Sequence, residues 1–192
     1  RILHPNSVKL AQKYDVPLLF FVNKLDKVGG DFFMSVDSVA EKLTKKGIAV
    51  QIPIGIENGF EAVIDLIEMK AYKFEGSGGE KVEEFDIPQD YLEDAKKYRS
   101  ILVERVAESD DSLIEKYLNG GELTVEEIKK AIRKMTVKAE LYPIFCGASL
   151  SNKGVQKVLD GVVEYLPSPK DTPDIKGINS DTGEEVFLSS DI

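Results

Sequence analysis

The sequence contains few of the residues on which disulfide and histidine chemistry depend. Its 192 residues include one cysteine, Cys146, and one histidine, His4. A single cysteine excludes an intrachain disulfide and fits a reducing, cytoplasmic setting. No apolar run approaches the roughly 18 residues of a membrane-spanning helix, and no signal peptide is visible. We therefore expect a cytoplasmic protein with no membrane partner, and we assign His4 no role.

Positive charge is also scarce relative to negative charge. The chain carries 25 Lys and Arg residues against 34 Asp and Glu residues, which gives a net charge of −9. This balance argues against extensive contact with a nucleic-acid backbone. The hydrophobic content of 42% is enough for a sizeable core. Because the chain begins at Arg1 and ends on an apparent strand over residues 185–192, we interpret it as part of a larger protein.

The most informative stretch is residues 16–26, VPLLFFVNKLD. Residues 18–22 form an unbroken apolar run, which predicts a strand buried on both faces of a parallel sheet. Ligands bind such sheets at the carboxyl ends of the strands. Asn23-Lys24-Leu25-Asp26 lies at that end, and this position favours a ligand-binding loop.

The residue types of this loop suit the recognition of guanine. Guanine presents two donors on one edge, its ring N1–H and its exocyclic amine, and the Asp26 carboxylate can accept both. Lys24 can lay its aliphatic stem across the base, and Asn23 can bridge the loop to its neighbours. The motif alone is weak, because Asn-Lys-x-Asp arises by chance in roughly a few of every hundred chains of this length. The same residues also serve as ordinary turn formers after a strand.

A second unit near the end of the chain repeats this pattern. Residues 142–146 predict another short buried strand, and the small-residue loop Gly147-Ala148-Ser149-Leu150 follows it. Asn152 is the expected cap of a final helix, whose apolar stripe comprises Val155, Val158, Leu159, Val162 and Leu166. If the two strands are neighbours, the loops that follow them meet at one pocket.

The residues between these units have a different pattern. Short alternating runs over residues 50–74 predict a small antiparallel sheet that is solvated on one side. Helical segments follow, and Thr124 with Glu127 forms a predicted capping box. We therefore divide the chain into an α/β part over residues 1–47, an inserted α+β module over 48–140, a resumed α/β part over 141–168, and a linker with the start of a second domain over 169–192.

At the level of motif order, the chain resembles bacterial elongation factor G, the translocation GTPase of the ribosome. FFVNKLDKVGGDFF is similar to the fourth GTP-binding motif and the helix after it. VQIPIG, FEAVIDLIEMKAY and LVERVAESDDSLIEKYLNGGELTVEEIKKAIRK resemble the inserted subdomain. PIFCGASLSNKGVQKVLDGVVEYLPSPKDTPDIKG is similar to the fifth motif, the last helix and the exit to the second domain.

The resemblance implies a partial P-loop-GTPase-like parallel sheet and a guanine site that binds GTP or GDP. It assigns that site to Asn23, Lys24, Leu25, Asp26, Ala148, Ser149 and Leu150. The fifth motif usually has Gly-Ser-Ala where this chain has Gly-Ala-Ser. The backbone contact to guanine O6 needs no particular side chain, so we expect it to persist. The hydroxyl that braces the specificity aspartate is lost at Ala148, and Ser149 is its candidate replacement.

The resemblance also implies what this stretch lacks. No G-x-x-x-x-G-K-[ST] phosphate loop, no switch loops and no catalytic residues are present, and the Mg²⁺ ligands of the family lie elsewhere in the whole protein. We therefore expect a GTPase in the full-length protein and no hydrolysis by this stretch alone. The implied partner is the ribosome, including the large-subunit stalk protein, which the inserted subdomain contacts.

Other interpretations remain open from the sequence. A related ribosomal GTPase, such as a ribosomal protection protein or release factor 3, is one alternative, and the well-matched insert speaks against both. A paralogue that keeps the insert as a docking surface and has lost turnover is favoured to some extent by the exchanged fifth motif. An acidic α+β binding module without a nucleotide site leaves the two strand-end loops unexplained.

Overall fold

The computed structural model describes residues 5–76, 78–171, 175–178 and 185–188. His4 and the end of the strand expected over residues 185–192 lie outside these ranges. In the part of the chain that is described, no helix is long and apolar enough to cross a membrane.

Helices and strands alternate in both α/β parts, four strands and then three helices follow one another between them in the described residues, and two sheets contain most of the strands. In chain order they are α1 (Pro5–Lys13), β1 (Phe20–Val22), α2 (Phe32–Lys42), β2 (Gly47–Ala49), β3 (Gln51–Ile54), β4 (Ala62–Asp65), β5 (Lys70–Glu75), β6 (Lys81–Phe85), α3 (Gln89–Ala107), α4 (Asp111–Leu118), α5 (Val125–Val137), β7 (Tyr142–Cys146), α6 (Val155–Tyr165), β8 (Ile175–Ile178) and β9 (Glu185–Leu188). Short 3-10 turns occur at Glu57–Gly59, Ser149–Ser151 and Pro169–Asp171.

A three-stranded parallel sheet has the order β1-β7-β2. It therefore joins the first α/β part to the resumed α/β part. Phe20 pairs with Ile144 on one side of β7, and Gly47 pairs with Tyr142 on the other. All five residues of β7 are buried, as expected for a parallel strand covered on both faces. The expected parallel pairing of the two apolar strands is therefore confirmed, although β1 takes in only three of the five predicted residues.

The inserted module contains the predicted antiparallel sheet, with the order β3-β4-β5-β6. The expectation that one face is solvated is wrong for β3, because Gln51–Ile54 is buried along its whole length, and for β4, where residues 62–64 are all buried. For β3 the reason is continuity: β3 follows directly from β2, and Val50 donates its backbone N–H to the Ile144 carbonyl of β7 at 3.1 Å. Only β6 at the far edge is mainly exposed.

The same continuity affects the boundary expected between residues 47 and 48. Residues 48 and 49 belong to β2 and pair with β7 in the parallel sheet. We therefore propose that the insert begins after Ala49. Buried residues of both parts form one hydrophobic cluster, which includes Phe32, Ile52, Leu66, Ile132 and Ile144.

The predicted capping box of α5 is confirmed. Glu127 donates its backbone N–H to Thr124 Oγ1 at 3.2 Å, and Thr124 donates its own to Glu127 Oε2 at 2.7 Å. Both bonds satisfy donors that the helix leaves without an internal partner.

The expected cap of α6 is wrong. Gly154, with φ of +83°, precedes the helix, while Asn152 adopts a left-handed conformation two residues earlier. The expected apolar stripe is also rotated, because Leu159 is 60% exposed and Gly161 and Tyr165 are the buried members. The prediction considered only apolar residues and therefore missed Gly161, whose lack of a side chain lets α6 pack closely against β7.

Gly161→Ala should destabilise the protein. A Cβ at this position would overlap the ring of Phe145, a β7 residue that is itself buried. Overpacking costs about 1–3 kcal/mol, and replacing a helical glycine returns about 1 kcal/mol. Because the Cβ would lie far inside contact distance of Phe145 Cζ, the overpacking cost falls at the upper end of that range. We expect a net loss of about 2 kcal/mol in the free energy of unfolding, measured by urea denaturation. Gly59→Ala is the control, because its Cβ meets no atom within 4 Å; equal values for the two variants would contradict the packing argument.

Candidate functional site

The loops that follow β1 and β7 meet at one edge of the parallel sheet. Gly147 donates its backbone N–H to the Val22 carbonyl at 3.0 Å, and Leu25 donates its own to the Gly147 carbonyl at 3.2 Å. Pairing therefore continues past the last paired residues of the strands, Val22 and Cys146. The expected meeting of the two loops at the carboxyl ends of neighbouring strands is confirmed.

Asn23 and Ser149 join the loops through side chains. Asn23 Nδ2 donates to Ser149 Oγ at 2.9 Å, and Ser149 donates its backbone N–H to Asn23 Oδ1 at 2.9 Å. The same Oδ1 accepts the Lys24 backbone N–H at 2.7 Å. One amide side chain thus fixes the start of its own loop and the start of the other, which lies 126 residues further along the chain.

Leu25 and Asp26 lie on different sides of the first loop. Leu25 is only 3% exposed and packs into the core, whereas the Asp26 side chain is 18% exposed and lies 3.3 Å from Lys27 Nζ. Lys24 adopts φ of +66°, a left-handed conformation that non-glycine residues seldom take. Strain of this kind persists where the surroundings over-determine it, and the Asn23 and Leu25 bonds on either side of Lys24 do so here.

The second loop differs from the expected arrangement in one contact. The Ser149 hydroxyl accepts a hydrogen bond from Asn23, and the ion-pair partner of the Asp26 carboxylate among the described residues is Lys27. The exchanged hydroxyl therefore braces the asparagine of the first loop, where the resemblance led us to expect a brace on Asp26. Ala148 is buried, and Leu150 is 87% exposed at the open side of the loop.

The sequence did not indicate a third segment at this edge, the turn between β3 and β4. Glu57 Oε1 accepts the Gly29 backbone N–H at 2.8 Å, just after the first loop. Lys153 Nζ, just after the second loop, donates to the Phe60 carbonyl at 2.7 Å. Both contacts join segments that are distant in sequence, so no local pattern could have revealed them. The inserted module therefore reaches the same edge as both loops.

Cys146 occupies the last position of β7, directly before the second loop. It is buried, and burial raises the pKa of its thiol. A thiol held in its protonated form is a poor nucleophile. We therefore assign Cys146 a packing role within the site.

A charged cluster lies at the junction of α6 with the insert, away from the two loops. Lys129 Nζ contacts Glu68 Oε1 at 2.9 Å, and Lys157 Nζ lies 3.7 Å from Glu68 and 3.4 Å from the centre of the Tyr72 ring. Burial raises the pKa of Asp65. Burial also acts to raise the pKa of Glu68, but the hydrogen bonds that it accepts from Tyr72 and Lys129 outweigh burial. The pKa of Glu68 is therefore lowered. Each of these charges has a partner, so we assign the cluster to packing between the two parts.

No group of three or more His, Cys, Asp or Glu side chains within the described ranges could hold a metal ion. The chemistry available at the strand-end edge is hydrogen bonding. It consists of one partly shielded carboxylate, one amide that links two loops, backbone N–H groups and a lysine stem. This set suits the recognition of a flat heterocycle with donors and acceptors along its edge.

Comparison with known proteins agrees with this geometry. A family model described as the elongation factor Tu GTP-binding domain matches residues 5–168. The chain is also similar to a protein from Thermus thermophilus whose crystal structure is known, with 26% identity and a TM-score of 0.76. That match covers 95% of this chain and 28% of the other, so this chain spans under a third of that protein. The expected α/β GTPase-like fold is thereby confirmed, and the chain belongs to the elongation factor Tu GTP-binding domain family of translation GTPases.

Proposed function

We propose that this chain is the guanine-binding part of a ribosomal translocation GTPase of the elongation factor G type. The observation that carries the proposal is the joining of the two loops at the carboxyl edge of β1 and β7. Leu25 bonds to Gly147, and Asn23 bonds twice to Ser149. A ligand held there contacts residues from both ends of the α/β part at once.

The base-reading role falls to Asp26. Its carboxylate is mostly shielded from water and accepts the N1–H and amine donors of guanine in our assignment. Adenine has an acceptor in place of N1–H, so the carboxylate would lose a partner and face a lone pair. Leaving such a group unsatisfied costs about 1–3 kcal/mol or more, which favours guanine over adenine nucleotides.

We assign the remaining contacts to the base to Lys24, Ser149 and Leu150. The Lys24 stem covers one face of the base, and the exposed Leu150 side chain offers apolar surface at the open side. The Ser149 N–H donates to Asn23 Oδ1, so guanine O6 either shares that donor or takes the next one, at Leu150. Leu25 and Ala148 contribute through the backbone and through packing.

The assignment to elongation factor G in particular draws on the order of the motifs and on the insert. The family match spans the insert together with both strand-end loops. A release factor 3 or ribosomal protection protein would share the loops, so the upstream phosphate loop and the downstream domains of the whole protein decide between these types. Ribosome-stimulated GTP hydrolysis by the complete protein, coupled to movement of tRNA and mRNA, is the activity we propose.

We propose the ribosome as the partner and the helical side of the insert as the surface that meets the stalk protein. A cleft of about 300 Å³ lies there, with Leu113 and Ala131 among charged side chains that include Asp110, Lys130 and Lys134. Mixed charge around a small apolar floor suits a protein partner better than a phosphate backbone. We assign no Mg²⁺ ligand and no hydrolytic step to the described residues.

Asp26→Asn should exchange guanine specificity for xanthine specificity. Xanthine replaces the exocyclic amine with a carbonyl, to which the amide of the substituted side chain can donate. In the complete protein we expect GDP affinity to fall on the order of 100-fold, with xanthosine diphosphate binding gained. Calorimetric titration with GDP, ADP and xanthosine diphosphate measures all three.

Asp37→Asn is the matched control, because Asp37 is exposed on α2 and makes no hydrogen bond or ion pair with either loop among the described residues. We expect its GDP affinity to equal that of the unaltered protein. Unchanged GDP affinity in Asp26→Asn, or tight ADP binding by the unaltered protein, would refute the base-reading role.

Removing the link between the loops should weaken nucleotide binding in a graded way. Asn23→Ala deletes both bonds to Ser149, whereas Ser149→Ala deletes only the hydroxyl bond. We expect GDP affinity to fall about 10- to 100-fold for Asn23→Ala and about threefold for Ser149→Ala. Equilibrium titration with GDP tests the order, and an equal loss in both variants would contradict it.

A further inference from the structure

The turn between β3 and β4, residues 55–60, contacts segments that follow each of the two strand-end loops. It belongs to the inserted module and carries none of the motif residues. Its position nevertheless makes it the one described segment of the insert that hydrogen-bonds to both sides of the site.

The contact to the first loop runs through Glu57. Gly29, which donates to Glu57 Oε1, lies three residues after Asp26. The intervening loop is closed by bonds from Lys27 N–H to the Lys24 carbonyl and from Gly30 N–H to the Lys27 carbonyl, at 3.1 and 2.9 Å. Glu57 holds φ of +51°, a costly conformation for glutamate. The carboxylate thus fixes the far end of a loop whose near end is fixed by Asn23.

The contact to the second loop runs through Lys153. Its ammonium donates to the carbonyl of Phe60, a residue only 1% exposed. Its backbone pairs with Ala148 in both directions, at 2.9 and 3.1 Å. Ala148 precedes Ser149 directly, so the position of Phe60 is transmitted to the base-facing backbone through one residue.

The turn is tightly folded and is bonded to the body of the insert. Gly55 takes φ of +81°, and a Cβ there would overlap the Gly59 carbonyl. The Gly55 backbone N–H donates to the Tyr91 hydroxyl on α3 at 3.0 Å. The turn is therefore bonded to α3 of the insert through Gly55 and to the segments after both loops through Glu57 and Phe60.

We propose that residues 55–60 position the two guanine-binding loops, with Glu57 and Lys153 as positioning residues, so that the insert sets guanine affinity. This inference rests on the proposed function. It assigns the insert a second role beside docking. A partner that shifts α3 relative to the sheet changes nucleotide affinity, and by linkage the nucleotide changes the affinity for that partner by the same factor.

Glu57→Ala in the complete protein tests the proposal. The variant removes the acceptor of the Gly29 N–H, and Glu57→Gln keeps an acceptor oxygen at the same position. We expect Glu57→Ala to weaken GDP and GTP binding by an equal factor of about 3- to 10-fold, with faster dissociation, because the change acts at the base end of the nucleotide. Glu57→Gln should restore most of the affinity.

Glu61→Ala is the control. Glu61 is an exposed acidic residue beside the same turn, and its side chain has no hydrogen bond or ion pair with the described residues, so its removal tests loss of charge alone. A second measurement is hydrogen exchange at the Gly29 amide in nucleotide-free protein. Exchange should be faster in Glu57→Ala than in Glu57→Gln or Glu61→Ala. This result does not depend on nucleotide affinity, and the melting temperature of Glu57→Ala should stay unchanged.

Coupling between the two contacts completes the test. Lys153→Met keeps the apolar stem and removes the bond to Phe60, and we expect its effect on GDP affinity to be non-additive with that of Glu57→Ala. GDP affinity in Glu57→Ala equal to that in Glu61→Ala would overturn the positioning role while leaving the proposed function intact. Absence of guanine binding by the unaltered protein would overturn both, even if the Gly29 amide still responded.

Discussion

Parallel pairing of β1 with β7 is the constraint on which the remaining architecture depends. Phe20 lies opposite Ile144 and Val22 lies opposite Cys146, although more than 120 residues separate the partners in the chain. This register places the ends of two distant strands side by side. Every contact between the two loops follows from it, because Leu25 and Asn23 reach Gly147 and Ser149 only when the strands end together.

The insert leaves this pairing intact because it begins and ends on the same strand system. The chain departs after β2 and returns as β7, and these two strands are themselves neighbours. Closing a long excursion costs little more entropy than closing a short one, since each doubling of length adds about 0.6 kcal/mol. Contacts such as Val50 to Ile144, together with the continuous hydrophobic cluster, attach the insert to the sheet along its base. The insert is thus packed against the α/β part through many contacts.

Local sequence patterns predicted the elements whose causes are local. The strand β7, the pairing of β1 with it, the loops after both strands and the capping box at Thr124 each occur as expected. The strand β1 is shorter than its apolar run, and only Phe20 in it is buried. Burial of Gln51 was not predictable in this way, because it depends on the neighbouring β7. The N-terminus of α6 was placed wrongly for a related reason. Its capping glycine is selected by close approach to β7, which the order of residues does not reveal.

The candidate site shows the same division. The residue types at Asn23, Lys24 and Asp26 indicate a base-reading loop by their chemistry. The partner of the Ser149 hydroxyl depends on how two loops approach each other, and the structure gives that hydroxyl to Asn23. Glu57 lies in a turn with no motif of its own, so its contact with Gly29 emerges only from the fold.

The location of Cys146 has a practical consequence. It is the sole sulfhydryl of the chain and lies, fully covered, on the central strand that joins the two halves of the parallel sheet. An alkylating dye can reach it only after β7 separates from its neighbours. The labelling rate in native buffer therefore measures how often β7 opens, and this single probe lies directly before the second loop of the candidate site.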